Sequence, residues 1–150
     1  MQLYSPAFDP GTTIPEIHTC LGKNTSPPLV IEDVPDGTVS FVLIIEDRDA
    51  APAPWTHWML FNIPGSVRLI HSGHIPEGAV EGLANNHSFG YEGPCPKYFS
   101  GTHHYLFRLY ALKELLDLDK HSEKEDVEKA METKIIAEAY LVGLCISAEQ

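Results

Sequence analysis

The sequence predicts a mainly β fold, an antiparallel β-sandwich or barrel with one or two peripheral helices packed at its end. Two observations carry that expectation. Strand-like runs outnumber helical ones and lie near one another along the chain, and Pro and Gly interrupt the first third too often for a long element to survive there. The composition, 43% hydrophobic and 21% charged, is that of an ordinary globular protein. A chain of 150 residues can bury a sizeable core without disulfides or metal, so residues 1–150 are read as a single domain.

Residues 1–35 fit short edge strands joined by turns. Asp36-Gly37 then turns the chain into residues 38–45, a run rich in β-branched side chains that are apolar at both parities, which marks a central strand covered on both faces. A loop with Ala51-Pro52-Ala53-Pro54 follows, and residues 56–63 read as a second core strand stopped by Pro64-Gly65. Residues 66–100 alternate short apolar pieces with Gly, Pro, Asn and His, a pattern that predicts long functional loops and the walls of a pocket. Residues 103–112 form the third clear strand. Ser122 with Glu125 three residues later predicts a capping box, and Val127, Ala130, Met131 and Ile135 recur behind it at helical spacing. Residues 137–146 read as a helix end turning into a last strand. No internal repeat or composition shift marks a boundary.

Twenty-one acidic against ten basic residues give a formal net charge of −11, a field that repels a phosphate backbone or an anionic leaflet. Nucleic acid and membrane surfaces are therefore not expected partners. A small anion can still bind if backbone N–H groups, a histidine or a tyrosine hydroxyl overcome the global field locally. Cys20, Cys95 and Cys145 are too few and too scattered for a disulfide framework, and none belongs to a C-x-x-C pair. Their reading is a reducing compartment. With no basic and then apolar leader at Met1–Pro6, and no run long enough to cross a bilayer, the expected location is cytoplasmic.

Asp47 and Asp49 lie two apart at the end of a core strand, so in extended conformation both carboxylates face one side. Two acids that close call for a cation or donor between them. The same residues also fit a solvated Asp-Arg-Asp turn neutralised by Arg48. His57 shares its parity with Met59 and Phe61, which puts its ring at the mouth of an apolar face, where a satisfied core histidine is the alternative to a functional one. In the third strand, alternation gives His103 and Tyr105 one face, and His104 and Arg108 the other. Just upstream, Gly90-Tyr91-Glu92-Gly93-Pro94-Cys95-Pro96 combines exposed backbone N–H groups with stiff prolines, as an anion nest requires, although such loops are also plain turns.

Three chemistries compete for these residues. In the first, Asp47 and Asp49 keep His57 and His103 protonated, and with Tyr105 and the loop at 90–96 they hold a phosphate by charge-assisted hydrogen bonds. The second is a metal site of His57, His103 or His104 and the two aspartates, for which no H-E-x-x-H spacing is present. The third is a small hydrolase using Cys95 as nucleophile or a His/Asp pair. They rank in that order, and no cofactor is expected.

The chain resembles the bacterial and archaeal branch of the phosphatidylethanolamine-binding, or Raf kinase inhibitor-like, proteins. The resemblance runs in order through Asn24–Leu29, Asp36-Gly37-Thr38 with Ser40-Phe41, Asp47-Arg48-Asp49-Ala50, His57-Trp58, Gly90–Pro96, and His103-His104-Tyr105 with Tyr110-Ala111-Leu112. It implies a β-sandwich with an anion pocket at one end for phosphate or phosphorylated head groups such as phosphoethanolamine. Residue by residue, it implies Asp47, Asp49, His57, Gly93, Pro94, His103 and Tyr105 as ligand-binding groups, with no catalytic residue. It further implies a regulatory kinase or protease partner and a homodimer. The chain departs from the family's Asp-Pro-Asp-Ala-Pro at Arg48 and at the additional Ala51, which puts a guanidinium near the rim.

Overall fold

A strand that is apolar at both parities must bury two faces, and the computed structural model, which describes residues 1–147, gives β3 (Ser40–Asp47) two partners. Phe41, Leu43 and Ile45 join the core between two sheets, while Val42 and Ile44 pack on the opposite side against a helix. No residue of β3 is exposed.

The chain begins with β1 (Gln2–Tyr4), a 3-10 turn at Glu16–His18 and β2 (Leu29–Glu32). After β3 come β4 (Trp55–Pro64), β5 (Leu69–Ile70), β6 (Val80–Glu81), a 3-10 turn at Pro96–Tyr98, β7 (Thr102–Leu112), the helix α1 (Lys124–Met131) and β8 (Ile135–Ile146). A three-stranded sheet, β1-β2-β5, faces a five-stranded one, β6-β4-β3-β7-β8, and every pairing between strands is antiparallel. The fold is thus mainly β, an antiparallel sandwich with one short helix. Residues 11–14 also lie along the outer edge of β8, where Gly11 and Ile14 N–H donate to the Val142 and Leu144 carbonyls, both at 2.8 Å, and cover part of an otherwise open edge.

Two sequence expectations are corrected near the C-terminus. The capping pair of α1 is Glu123 with Asp126, in place of Ser122 with Glu125. Ser122 is buried and tied to neighbouring chain, its N–H donating to the Asp119 carbonyl and its own carbonyl accepting from Leu83. Residues 135–146 contain no helix end: all twelve form β8, paired with β7 from Leu112–Ile135 to Thr102–Ile146. A full-length partner strand overrides the helix preference of Ala and Glu at 137–139.

Candidate anion-binding site

Three strands bring polar side chains to one end of the large sheet. Asp47 closes β3 opposite Trp55 of β4 on one side and Tyr105 of β7 on the other, and directly opposed residues share a face. His57 reaches that face through an irregularity. In the β3–β4 ladder Ile45 opposes Trp58 and Glu46 opposes Thr56, which leaves His57 as the extra residue of a β-bulge. Bulges re-aim a side chain, and strict alternation fails across them. The expectation that His57 shares a face with Met59 and Phe61 is therefore corrected. Those two pack under α1, whereas the His57 ring meets Tyr105 edge-on, centroids 5.2 Å apart, on the sandwich side.

Asp47 is buried, yet both its oxygens have donors. Oδ2 accepts from His103 Nδ1 at 2.6 Å, and Oδ1 accepts from the Asp49 backbone N–H at 2.9 Å. Because an ionised carboxylate can only accept, the His103 proton sits on Nδ1 and Nε2 is left for a ligand. The His103 ring stacks on Phe99, centroids 3.7 Å apart and planes 17° from parallel. Asp49 behaves differently from the paired-acid expectation. The strand has ended by residue 48, and the Asp49 carboxylate turns to His104, accepting from its backbone N–H at 2.6 Å and from Nδ1 at 2.8 Å. Those two bonds hold Asp49 below the usual carboxylate range.

His57 Nδ1 lies 2.6 Å from the Glu92 carbonyl oxygen, which can only accept, so Nδ1 carries the proton and Nε2 remains. Burial holds this imidazole below its ordinary pKa, and the Glu92 carbonyl with the Asp47 and Glu92 charges only partly opposes that. The expectation that the two aspartates keep His57 protonated is thus corrected: burial outweighs the Asp47 charge and favours the neutral imidazole. Burial, and next the Asp47 charge, push the Tyr105 phenol far up, so it stays protonated and can donate.

The loop at 90–96 forms the facing wall. Gly93 is buried, and its N–H donates to Asn24 Oδ1 at 2.8 Å, so this amide is engaged inside the protein and does not form an anion nest. A glycine is needed there because a Cβ would stand 2.2 Å from the His18 carbonyl oxygen. Pro94 is buried behind the wall, its carbonyl accepting from Cys20 N–H at 3.0 Å. The reading of three unpaired cysteines is corrected: Cys20 and Cys95 form a disulfide, and only Cys145, buried, remains a free thiol. This removes the basis for inferring a reducing compartment, and a bridged Cys95 cannot be a nucleophile. Among the described residues no three His, Cys, Asp or Glu side chains are grouped to hold a metal ion.

Together these groups enclose a cavity of about 710 Å³ whose lining includes Asp47, Asp49, His57, Gly93, His103 and Tyr105. Arg48 is exposed and does not line it, whereas Lys97 does and supplies a cation at the rim. Sequence reasoning did not single out Trp55, Phe99 or Cys20, all in the lining. The position of Trp55 two before His57 was a usable signal. No spacing signals a bridge between residues 75 apart.

A sequence model of the phosphatidylethanolamine-binding protein family matches residues 4–146. The chain belongs to this family. Relatives described as UPF0098 proteins include one from Methanothermobacter thermautotrophicus, 44% identical over 96% of this chain and 97% of the relative. Another, from Aquifex aeolicus, is 42% identical over 96% and 87%. The fold matches crystal structures of a phosphatidylethanolamine-binding protein homologue from Chlamydia trachomatis (TM-score 0.91, 38% identity, 96% and 95% covered) and of E. coli YbcL (TM-score 0.89, 31% identity, 97% of each covered). As a family member the chain has the sandwich expected from its motifs. Among its described residues no helix is long and apolar enough to cross a membrane.

Proposed function

We propose that this family member is a non-enzymatic binding protein whose cavity takes phosphate or a phosphorylated head group such as phosphoethanolamine. The observation that carries this reading is the convergence of His57, His103 and Tyr105 on one cavity. Each imidazole has its Nδ1 fixed by an acceptor, which leaves Nε2 toward a ligand, and the Tyr105 hydroxyl adds a neutral donor. An entering dianion favours the charged form of His57, so binding converts a neutral nitrogen into a charge-assisted donor. Asp47 orients His103, and Asp49 fixes the β7 end through His104.

The bridged Cys95 supports binding over hydrolysis by that cysteine. Regulation of a kinase or protease partner and pairing of two copies rest on the family resemblance alone, and sedimentation of the purified chain decides the second. In a cytoplasmic location the bridge stays closed only if it resists cellular thiols. Alkylation in acid-quenched cells reads its state directly, and a bridge found fully reduced would remove it from the working cavity.

Calorimetric titration with phosphate and with phosphoethanolamine tests the central reading. One saturable site per chain is expected, weakened by His103→Ala about tenfold to a hundredfold, the range for losing a hydrogen bond to a charged group. Binding unchanged by His103→Ala, or absent from the wild type, would refute it.

A further inference from the structure

We propose that the Cys20–Cys95 disulfide is a thiol-exchange latch on the cavity wall, which a dithiol reductant opens so that the wall positioning His57 loosens. Its effect on ligands rests on the anion-binding reading; its opening does not.

Both cysteines line the cavity and both are half-buried, so a reductant can reach the bridge from the cavity side. Cys145 is buried among core residues, and burial pushes its thiol up to about 11, which keeps it from competing as an exchange partner. The bridge joins two segments with little regular structure of their own. Between β6 and β7 the chain forms only the 3-10 turn at Pro96–Tyr98, and a loop of that length needs anchors. Three hydrogen bonds tie it to the segment at 18–24: Tyr91 O–H to the His18 carbonyl at 2.7 Å, Gly93 N–H to Asn24 Oδ1 at 2.8 Å, and Cys20 N–H to the Pro94 carbonyl at 3.0 Å. All lie within a few residues of the bridge and share its geometry. Glu92 sits among them, and its carbonyl holds His57 Nδ1. What fixes the wall therefore fixes the imidazole.

In the exchange, a thiolate of the reductant attacks one bridge sulfur. The S–S bond breaks, a mixed disulfide forms, and the other cysteine leaves as a thiolate that takes a proton. The reductant's second thiolate then attacks its own sulfur in the mixed disulfide and releases the second cysteine, also protonated. The bridge has gained two electrons and two protons, and the dithiol has become a disulfide.

The native protein is treated with dithiothreitol, alkylated with iodoacetamide and weighed. Two adducts are expected under native conditions and three only in denaturant. Hydrogen exchange at residues 91–95 should quicken at least tenfold on reduction. The phosphate dissociation constant should rise about tenfold, as expected for lost preorganisation, and recover on reoxidation. The Cys20→Ser/Cys95→Ser double variant should reproduce the reduced state, and if it fails to fold the reduced wild type still gives the reading. A bridge that resists reduction until the protein unfolds overturns the latch, as does unchanged exchange at 91–95. Unchanged phosphate affinity in a protein that binds phosphate when oxidised overturns it too. If the oxidised protein binds no phosphate but exchange still quickens, the latch stands and the anion-binding reading fails.

Discussion

Burial holds the His57 imidazole below its ordinary value of 6.5, so the unfolded chain binds this proton more readily than the native one. The native state is therefore fully favoured above about 6.5 and loses stability as pH falls below it. An anion in the cavity pulls the other way, raising the imidazole's affinity for a proton, so ligand affinity should climb as pH falls through the same range. Sulfate, a dianion throughout, isolates the effect: its affinity should increase between pH 8 and 6 in the wild type and vary much less in His57→Gln. Equal slopes would remove His57 from the site. Gly93 makes a steric claim instead. Gly93→Ala places a methyl against the His18 carbonyl and Asn24 Oδ1, at 2.2 and 2.6 Å, and should cost about 2 kcal/mol in urea unfolding. A neutral result would show that the wall yields. At this scale alternation sufficed to put His103 with Tyr105 and apart from His104. It failed at His57, because a single extra residue in β4 reverses the parity, and it was silent on the Cys20–Cys95 bridge.

Among the elements, α1 reaches the sheet through a buried acid as well as through Val127 and Met131. Glu46 of β3 is paired with Arg108 Nη2 at 3.1 Å and with Lys124 Nζ at 2.7 Å, so one carboxylate clamps β7 and the helix. Glu46→Ala leaves both cations facing an empty site and should lower stability by about 3 kcal/mol, measured by urea denaturation. A loss under about 1 kcal/mol would show that apolar packing alone docks the helix. The strands β3, β4 and β7 were legible because each is a long apolar run whose burial leaves little choice. The start of β8 was not, since Ala137, Glu138 and Ala139 favour a helix by propensity, and only pairing with β7 decides for the strand. The two-residue strands β5 and β6 carry no periodicity to read.

For the molecule as a whole, a net charge of −11 surrounds a cavity read here as taking anions. Locality resolves this on the proposed reading: Nε2 of His57 and of His103, the Tyr105 hydroxyl and the Lys97 ammonium, all in the cavity lining, would act at short range, where a few donors outweigh a screened field. The family and its sandwich were legible from six ordered motifs. What the ligand does to the protonation of the cavity was not, because that depends on burial set by chain segments far apart in sequence. The most direct measurement is long-range proton–nitrogen NMR of the histidine rings during a sulfate titration at pH 7. His57 should begin neutral with its proton on Nδ1 and gain a proton on Nε2 as the site fills, with His103 shifting in step. Saturation that leaves His57 neutral, or shifts confined to the exposed histidines, would contradict it.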